Sequence, residues 1–478
     1  MLVLGWAGSG VLVLGWIRRR MVDTNFRSIR EVGAPARLRV AVLVDLARGP
    51  GAGGHVRCWE KIALATAEAG DGIDLTVHFS GERTEVMELG PWVRFKTHRR
   101  VFGTERLPFL SHVPDHTDLA PFHPGLARDL AVADVIHTTD AFFAFARTAG
   151  WVARRLGKPL VNSIHTDTPR YAGLFTGQTV TRLFGQSWLA RVLLGPAVRI
   201  DRRVEQGMLA RLSAMQRRCA FALVSHDDDH RRALAVLPPG RVGWLRRGID
   251  REAFSPSLRD RNWLMHEFGI PAGRTVILCV GRVNVGKNVM TLAQAVRGLV
   301  DRGAPVVLLC AGEGDQCKAV LNLLGDAARC PGVIDAERLA RVYASADLFA
   351  MPSKIEVFAN VVLEALASGL PALVAERGGM GRLIRPGETG LVVAGEGPQP
   401  WFEALAPLVG DGGRRAAMAA AALLAAERDL PSWVDVVRHD LAPVWRTVAE
   451  QGARGRSLKG AVTNSVRASG SLGPVAKR

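Results

Sequence analysis

Two glutamates, Glu356 and Glu364, stand eight positions apart in the stretch SKIEVFANVVLEALASGLP, with seven mostly apolar residues between them. The stretch is typical of a loop that leads into a buried helix and then into a strand. Two interpretations are open. Both carboxylates could be solvated helix residues, or they could accept hydrogen bonds from hydroxyl groups at the two ends of one polar ligand.

Two cations precede this stretch in the loop GRVNVGKN, which follows the strand-like run TVILCV. Arg282 offers a planar fork of donors and Lys287 a mobile point charge, and the two together suit a diphosphate. The helix that we expect to begin near Phe358 would direct the N–H groups of its first turn at the same anion. A sugar nucleotide presents hexose hydroxyls, two phosphates and ribose hydroxyls in the matching order.

The elements that must position these groups begin at residue 37. Buried strand-like runs such as RLRVAVLVD alternate with amphipathic helical runs such as HVRCWEKIALATAEAG. This alternation predicts an α/β fold of parallel sheets with helices on both faces. Ligands of such sheets bind at the carboxyl ends of the strands. The polar residues that fall there are Gly53, Gly54, His137, His165, Arg282 and Glu356.

Turn-forming residues divide the chain into domains. Residues 235–242, AVLPPGRV, interrupt the helical pattern, and a second set of strands begins with VGWLRRGID. We therefore expect one domain over 37–238 and another over 239–430, followed by a terminal helix over 431–450. The tail, 451–478, is basic and rich in Gly and Ser, which predicts disorder.

Residues 1–36 form an apolar and then basic extension. The first seventeen residues are apolar and the arginines follow them, whereas a secretory signal has its positive charge first. Three interpretations stay open: translation from Met21, a short membrane anchor, or a signal peptide.

The net charge is +17, from 62 Lys and Arg against 45 Asp and Glu, and such an excess favours anionic partners. Genome composition could also account for part of it. Residues 181–220 place arginines among apolar side chains, which is typical of a segment on an anionic membrane surface. A helical hairpin with a solvated face would give the same pattern. The chain has no recognisable nucleic-acid-binding motif, so we expect no nucleic acid partner.

Several segments together resemble the family 4 retaining glycosyltransferases of the GT-B fold. They are GGHVR, RRGIDREAFSP, GRVNVGKN, GETGLVV and the long segment YASADLFAMPSKIEVFANVVLEALASGLPALVAERGG. The resemblance covers roughly residues 37–450 and implies two Rossmann-like parallel-sheet domains that face each other across a cleft. The first domain would hold the acceptor and the second the nucleotide sugar, and the terminal helix would return to the first domain.

The resemblance implies roles for the residues of the E-x7-E segment and of the basic loop. Glu356 would contact the donor sugar and Glu364 the ribose, while Arg282 and Lys287 would bind the diphosphate. The other residues of the implied donor site are Gly53, Gly54, Val333, Ile334, Phe358, Ala359 and Asn360. Of these, Val333 and Ile334 would meet the base.

The catalytic candidates are Glu356, His165 and His137. His165 lies in SIHTDTPRYA, which resembles a segment of members that act on lipid-linked acceptors, and His137 lies in DVIHTTD. Either histidine could accept the acceptor's proton or orient a hydroxyl group. Thr139 stands where some members have a second functional histidine, so the choice between His165 and His137 is open.

Other positions depart from the family's usual residues. Ala359 and Gly286 replace a frequent glycine and a frequent glutamate, and Arg382 replaces a usual glutamate. The string SHDDDH, residues 225–230, contains the D-x-D metal motif of the other major glycosyltransferase fold. We interpret it instead as a helix cap, and the six cysteines, which form no C-x-x-C pair, as buried thiols in a reducing compartment.

The residues and the resemblance together therefore predict a hexosyltransferase that uses a nucleotide diphosphate sugar, and the resemblance implies that it retains the anomeric configuration and needs neither metal nor cofactor. We expect a lipid or lipid-linked acceptor and a peripheral location on the cytoplasmic face of the membrane. A sugar-nucleotide-binding partner protein without turnover is the alternative, and the departures at Ala359, Gly286 and Arg382 are its support.

Overall fold

A computed structural model of the chain describes residues 37–49, 52–107, 116–356 and 359–454. The predicted extension over 1–36, the tail beyond residue 454 and Phe358 lie outside these ranges. Within them the chain forms two α/β domains, each built on a mainly parallel sheet, as the alternation of strands and helices predicts. No helix in these ranges has the length and apolar character needed to cross a membrane.

The first sheet has eight strands in the order β3-β4-β2-β1-β5-β6-β7-β8. Neighbouring strands are parallel except for the antiparallel pair β3–β4 at one edge. The strands are β1 Leu38–Val44, β2 Ile73–Gly81, β3 Glu85–Gly90, β4 Val93–Arg99, β5 Val135–Thr138, β6 Leu160–Ser163, β7 Phe221–Val224 and β8 Val242–Trp244.

The second sheet has six strands, all parallel, in the order β11-β10-β9-β12-β13-β14. They are β9 Thr275–Val280, β10 Val306–Ala311, β11 Ala328–Gly332, β12 Leu348–Met351, β13 Ala372–Ala375 and β14 Gly390–Val393. Four of the strands are buried along their whole length, which explains why they are continuous apolar runs without alternation.

Helices cover both faces of each sheet. Those of the first domain are α1 Gly54–Ala69, α2 Pro124–Val132, α3 Ala144–Leu156, α4 Thr168–Phe184, α5 Trp188–Leu194, α6 Ile200–Gln216 and α7 Asp227–Leu234. The helices that follow are α8 Arg261–Phe268, α9 Val289–Asp301, α10 Cys317–Leu324, α11 Ala336–Ser345, α12 Asn360–Ala367, α13 Gln399–Gly410, α14 Gly412–Asp429 and α15 Trp433–Asp435. A π-helical turn, Val436–Leu441, continues α15 into a helix over 442–454.

The strand in VGWLRRGID belongs to the first sheet, and the predicted start of the second set of strands was wrong at this point. β8 pairs in parallel with β7, from Ala222↔Val242 to Val224↔Trp244. The prolines of the predicted linker form only a short 3₁₀ turn, Pro239–Arg241, between α7 and β8. Because a proline-rich turn can link a helix to a strand of the same sheet, it does not by itself mark a domain boundary.

The C-terminal segment packs on the first domain. Val436, Val437, Leu441 and Trp445 are fully buried in one apolar cluster with residues of β1, β2 and α1. The Trp445 indole also donates a hydrogen bond to His137 on β5, 3.1 Å away. The helix over 442–454 therefore packs against the centre of the first sheet.

Replacing Trp445 should destabilise the protein because it empties the middle of this cluster. Trp445→Ala is expected to lower the free energy of unfolding by about 3–5 kcal/mol, measured by urea denaturation. Trp188→Ala is the matched control: Trp188 is 72% exposed, and the same substitution there should change the free energy by less than about 0.5 kcal/mol. Equal effects of the two substitutions would contradict the structural role given to Trp445.

Candidate active site

The strand order of each sheet reverses at one place, and the predicted site residues follow those strands. In the first sheet the reversal lies between β1 and β5, and in the second between β9 and β12. Crevices at the carboxyl ends of such strand pairs are the usual ligand sites of parallel sheets. The turn with Gly53 follows β1, the Arg282–Lys287 loop follows β9, and Glu356 follows β12.

The first acid and the second cation of the predicted donor site meet directly. The Lys287 ammonium forms an ion pair with Glu356, and Ser353 donates a hydrogen bond to the same carboxylate at 3.2 Å. Burial disfavours the charge on Lys287, but the Glu356 carboxylate outweighs it, and the pKa of Lys287 is raised. A short 3₁₀ turn, Val285–Lys287, presents the lysine, and the Asn284 side chain caps it by accepting the Lys287 N–H at 3.1 Å.

Arg282 reaches the opposite wall of the cleft. A Cβ atom on Gly53 would lie 3.1 Å from Nη2 of Arg282, so a side chain at this position would press on the guanidinium. Gly53 is the N-cap of α1 and offers no side-chain cap to the first-turn N–H groups of that helix. A guanidinium and an uncapped helix N-terminus, one from each domain, thus lie together. A Cβ on Gly54 would meet no atom within 4 Å.

The second acid lies on α12 and is held by an aromatic hydroxyl group. Tyr343 donates a hydrogen bond to Glu364 at 2.9 Å. Burial raises the pKa of Glu364 to about 7, although the Tyr343 hydrogen bond and the charge of Lys61 act in the opposite direction. Near neutral pH this carboxyl group is therefore divided between its two protonation states.

The remaining donor-site candidates surround these groups at the carboxyl edge of the second sheet. Val333 and Ile334 come directly after β11; Val333 is 47% exposed, whereas Ile334 packs against the apolar core. Ala359 is buried and N-caps α12 without a side-chain hydrogen bond. The amide oxygen of Asn360, the first residue of α12, is buried and has no hydrogen-bond partner.

His165 lies at the cleft side of the first sheet with both ring nitrogens engaged. Its Nδ1 lies 2.9 Å from the Arg247 guanidinium, which can only donate, and its Nε2 lies 2.8 Å from Ser163 Oγ and 3.1 Å from the Trp59 indole nitrogen. Burial and the charge of Arg247 lower the pKa of His165. The ring of His55, in the first turn of α1, stacks on His165 with centroids 4.7 Å apart.

The structure places His137 in the interior of the first domain. The residue is fully buried between Trp59 and Trp445, and its Nδ1 accepts the Trp445 indole N–H. Burial lowers its pKa to about 3, so the ring is neutral. Thr139, two residues further on, donates a hydrogen bond of 2.7 Å to the Leu43 carbonyl. Of the two histidines predicted from the sequence, His165 is the one beside the first turn of α1.

The aspartates of SHDDDH cap and flank α7. The His226 side chain caps the helix by accepting the Asp228 N–H at 3.1 Å. Asp228 and Asp229 form ion pairs with Arg231 and Arg232 one turn later. The helix cap predicted from the sequence is thus present, but the side chain that accepts the hydrogen bond is His226 and not an aspartate.

One group among the described residues has the composition of a metal site. Ligand atoms of His78, His98 and Asp129 lie within 4.8 Å of one another. His78 Nδ1 and His98 Nε2 are 2.9 Å apart, a hydrogen-bond distance, and the Lys96 ammonium lies 2.8 Å from Asp129 Oδ2. The ammonium thus balances the charge of the carboxylate and the two rings bond to each other, while Asp129 Oδ2 itself has no hydrogen-bond partner within the described part of the chain.

Four residues that touch the site were not singled out from the sequence. They are His55, Tyr343, Ser353 and Arg247. Tyr343 and Ser353 belong to the long segment YASADLFAMPSKIEVFANVVLEALASGLPALVAERGG, in which the resemblance to the family could have drawn attention to them. The contact of Arg247 with His165 joins residues 82 positions apart, and no local pattern predicts it.

Comparisons with known proteins agree with the resemblance. The family model "Glycosyl transferases group 1" matches residues 274–411. D-inositol 3-phosphate glycosyltransferase of Nocardiopsis dassonvillei is 30% identical over 413 residues, which cover 80% of this chain and 89% of that protein.

Solved structures share the fold. Sucrose-phosphate synthase from Thermosynechococcus elongatus has a TM-score of 0.61 at 20% identity and covers 89% of this chain and 100% of its own. Anabaena Alr3699/HepE in complex with UDP and glucose has a TM-score of 0.58 at 16% identity, and the match covers 88% of this chain and 100% of that protein's chain. The predicted GT-B architecture is confirmed, and the chain belongs to the group 1 glycosyltransferases, enzymes of the family 4 type.

Proposed function

We propose that this glycosyltransferase moves a hexose from a nucleotide diphosphate sugar to an acceptor hydroxyl group and keeps the anomeric configuration. The observation that supports the proposal most directly is the contact of Arg282, from the second domain, with Gly53 at the uncapped start of α1. Together with Lys287 this contact gathers positive charge from both domains at the facing crevices, where a diphosphate would lie.

The reaction breaks the bond between the anomeric carbon and the diphosphate oxygen, and forms a bond from that carbon to the acceptor oxygen on the same face. The departing diphosphate gains charge in the transition state. Arg282, Lys287 and the N-terminus of α1 stabilise that charge, and each such contact contributes a few kcal/mol. We propose that this set of cations takes the place of a divalent metal.

Glu356 has two roles in this proposal. It forms the ion pair with Lys287, which offsets the cost of a partly buried ammonium group. With donor bound, the diphosphate offers Lys287 a second anion, and Glu356 can accept hydrogen bonds from the hexose hydroxyls. Glu364, held by Tyr343, accepts the ribose hydroxyls at the other end of the donor.

The neutral histidines would position groups instead of carrying protons in this proposal. Both ring nitrogens of His165 face protein atoms, so its ring orients Arg247 and stacks on His55. His137 fixes Trp445 beneath the sheet. With both ring nitrogens of His165 engaged and His137 buried, we assign the acceptor's proton to the leaving diphosphate, which suits a transfer with retention.

The donor base is selected beside Val333 and Ile334, next to the end of β11. One of the solved structures with this fold holds UDP and glucose, and another holds ADP and acarbose. A thermal-shift panel of UDP-, GDP- and ADP-sugars would identify the base, because a ligand at 100 times its dissociation constant stabilises the folded protein by about 2.7 kcal/mol.

We propose a lipid or lipid-linked acceptor, taken up at an anionic membrane surface. Four large apolar side chains at the α4–α5 corner are 40–72% exposed: Leu183, Phe184, Trp188 and Val192. Arg182 and Arg191 lie among them. Between α3 and α6 an open groove of about 500 Å³ is lined by apolar side chains and by Arg147, Arg154, Arg211 and Arg218, with no acidic residue among its lining.

A phosphorylated polyol is the second acceptor class, because the Nocardiopsis relative is named for D-inositol 3-phosphate. Incubation with the identified donor and either D-inositol 3-phosphate or a membrane extract of lipid-linked saccharides separates the two classes. Radiolabel in the organic phase supports the lipid acceptor, and label only in a water-soluble phosphorylated product refutes it.

Removing either cation should strongly slow hydrolysis of the nucleotide sugar. Arg282→Ala and Lys287→Ala are each expected to lower kcat/KM for acceptor-independent donor hydrolysis by about 10²–10³-fold, with the turnover of wild-type protein unaffected by EDTA. Glu356→Gln should also greatly lower kcat/KM for this hydrolysis. The control is Lys318→Ala, which removes an exposed lysine from α10. Wild-type hydrolysis and donor binding in the Arg282→Ala/Lys287→Ala double variant would refute the proposed function.

The pKa of Glu364, raised to about 7 by burial, predicts a pH dependence of donor affinity. The ribose hydroxyls need the ionised carboxylate as acceptor, so the Kd of a nucleotide sugar should rise as the pH falls below 7, by up to about tenfold per unit. Glu364→Gln should bind more weakly and without this pH dependence. A nucleotide sugar is the right probe, because a terminal phosphate would itself titrate near pH 6.

The pH dependence of folding stability runs in the opposite direction to that of donor affinity. Because folding raises the pKa of Glu364, its contribution to stability is present below about pH 4.5 and is lost as the pH rises through 7.

An unchanged Kd of the nucleotide sugar between pH 8 and pH 6 in the wild type would contradict a carboxylate role for Glu364 in donor binding.

Membrane binding should depend on the α4–α5 corner. Protein that begins at Met21 is expected to sediment with phosphatidylglycerol vesicles at low salt and to be released by high salt. The Phe184→Ser/Trp188→Ser double variant should lose most of this binding. Leu424→Ser, at a 62% exposed position on α14, is the control. If the Met21 protein ignores anionic vesicles at low salt, the surface proposal fails.

A further inference from the structure

One aromatic residue of the first domain lies against the basic loop of the second. Tyr171 is in the first turn of α4, and a Cβ atom on Gly286 would lie 3.2 Å from its Cε1. Gly286 is buried in the 3₁₀ turn Val285–Lys287, directly before the diphosphate lysine. The ring of Tyr171 therefore packs directly against Gly286, and even a Cβ atom at this position would have to push the ring back by a few tenths of an ångström.

The backbone at Gly286 does not require glycine. This residue is absent from the glycines with positive φ, so its conformation is open to any residue. Besides Tyr171, the atom nearest to a Cβ there is Asn284 Oδ1, at 3.4 Å. A side chain at position 286 would thus press on the neighbouring domain, which fits the presence of glycine at a position that often carries glutamate in the family.

α4 fixes the place of Tyr171. Asp167 caps the helix by accepting the Arg170 N–H at 3.3 Å, and Pro169 lies in its first turn. At Gly173 the helix approaches α6 so closely that a Cβ would lie 3.1 Å from the Asp201 carbonyl oxygen. The ring of Phe175 stacks on Tyr171 with centroids 6.0 Å apart.

Tyr171 also favours the charged form of Lys287. Burial lowers the pKa of Lys287, the Glu356 carboxylate raises it, and Tyr171 raises it further. The ring of Tyr171 thus packs on the turn that presents the lysine.

We infer that Tyr171 is a positioning residue of the donor site, supplied by the acceptor-side domain, which packs on Gly286 and thereby holds Lys287 in place for the diphosphate. The inference rests on the proposed function, because it assigns Tyr171 to the same diphosphate site. It also makes the site dependent on the approach of the two domains, since the loop and its support come from different domains.

The test is a double-variant cycle on Tyr171 and Gly286, read by KM and kcat of acceptor-independent donor hydrolysis. Tyr171→Ala should raise KM at least fivefold with a smaller change in kcat, and Tyr171→Phe, which keeps the ring, should stay within twofold of wild type. Gly286→Leu should raise KM at least tenfold. Adding Gly286→Leu to Tyr171→Ala should cost no more than twofold, because the space of the ring is then empty.

Controls separate this inference from misfolding and from failure of the proposed function. Each variant is checked for an unchanged Tm, and Thr181→Ala, at an exposed position of the same helix, should behave as wild type. Independent effects of the Tyr171 and Gly286 substitutions, or a wild-type KM in Tyr171→Ala, would overturn the inference. If Arg282→Ala and Lys287→Ala also leave donor hydrolysis unchanged, the proposed function falls as well; if they abolish it, only the role of Tyr171 falls.

Discussion

The ion pair between Lys287 and Glu356 is the interaction on which the rest of the site depends. A lysine at the carboxyl end of a buried strand is useful to a diphosphate only if it stays charged, and burial works against that charge. Glu356 supplies the compensating anion from the loop after β12, the strand beside β9. The order of strands in the second sheet is therefore what makes a buried cation possible, and the same order creates the crevice for the ligand.

The first domain contributes backbone, a neutral histidine and a buried cation to the site. Gly53 lies beside Arg282 at the start of α1, burial keeps His165 neutral, and the Arg247 guanidinium lies 2.9 Å from His165 Nδ1. These groups form the first domain's wall of the site. The C-terminal segment stabilises this wall from behind, because Trp445 fills the cluster under β1 and α1 and bonds to His137.

Much of the architecture could be predicted from the sequence because it is encoded locally. Buried apolar runs specify parallel strands, and the E-x7-E segment and the basic loop carry the residues of the proposed donor site in two short stretches. β8 could not be assigned in this way, since a three-residue strand next to a proline turn fits either sheet. The burial of His137 depends on Trp445, 308 positions away, and the support of the lysine turn depends on Tyr171. Contacts between distant segments leave no periodic signal in a single sequence.

The departures from the family pattern acquire a physical reason at the contact between the domains. Gly286 stands under the ring of Tyr171. Arg382, where a glutamate is usual, lies 3.4 Å from Asp227 on α7 and 4.6 Å over the Trp244 ring at the end of β8. A glutamate there would face the Asp227 carboxylate and the negative face of the indole ring, so repulsion would replace attraction. Two substitutions that, in the sequence alone, favoured a binding protein without turnover thus match residues of the opposite domain. Such matching is expected of a cleft whose two walls must meet around a donor, and it accounts for the changes without any loss of the cations and acids.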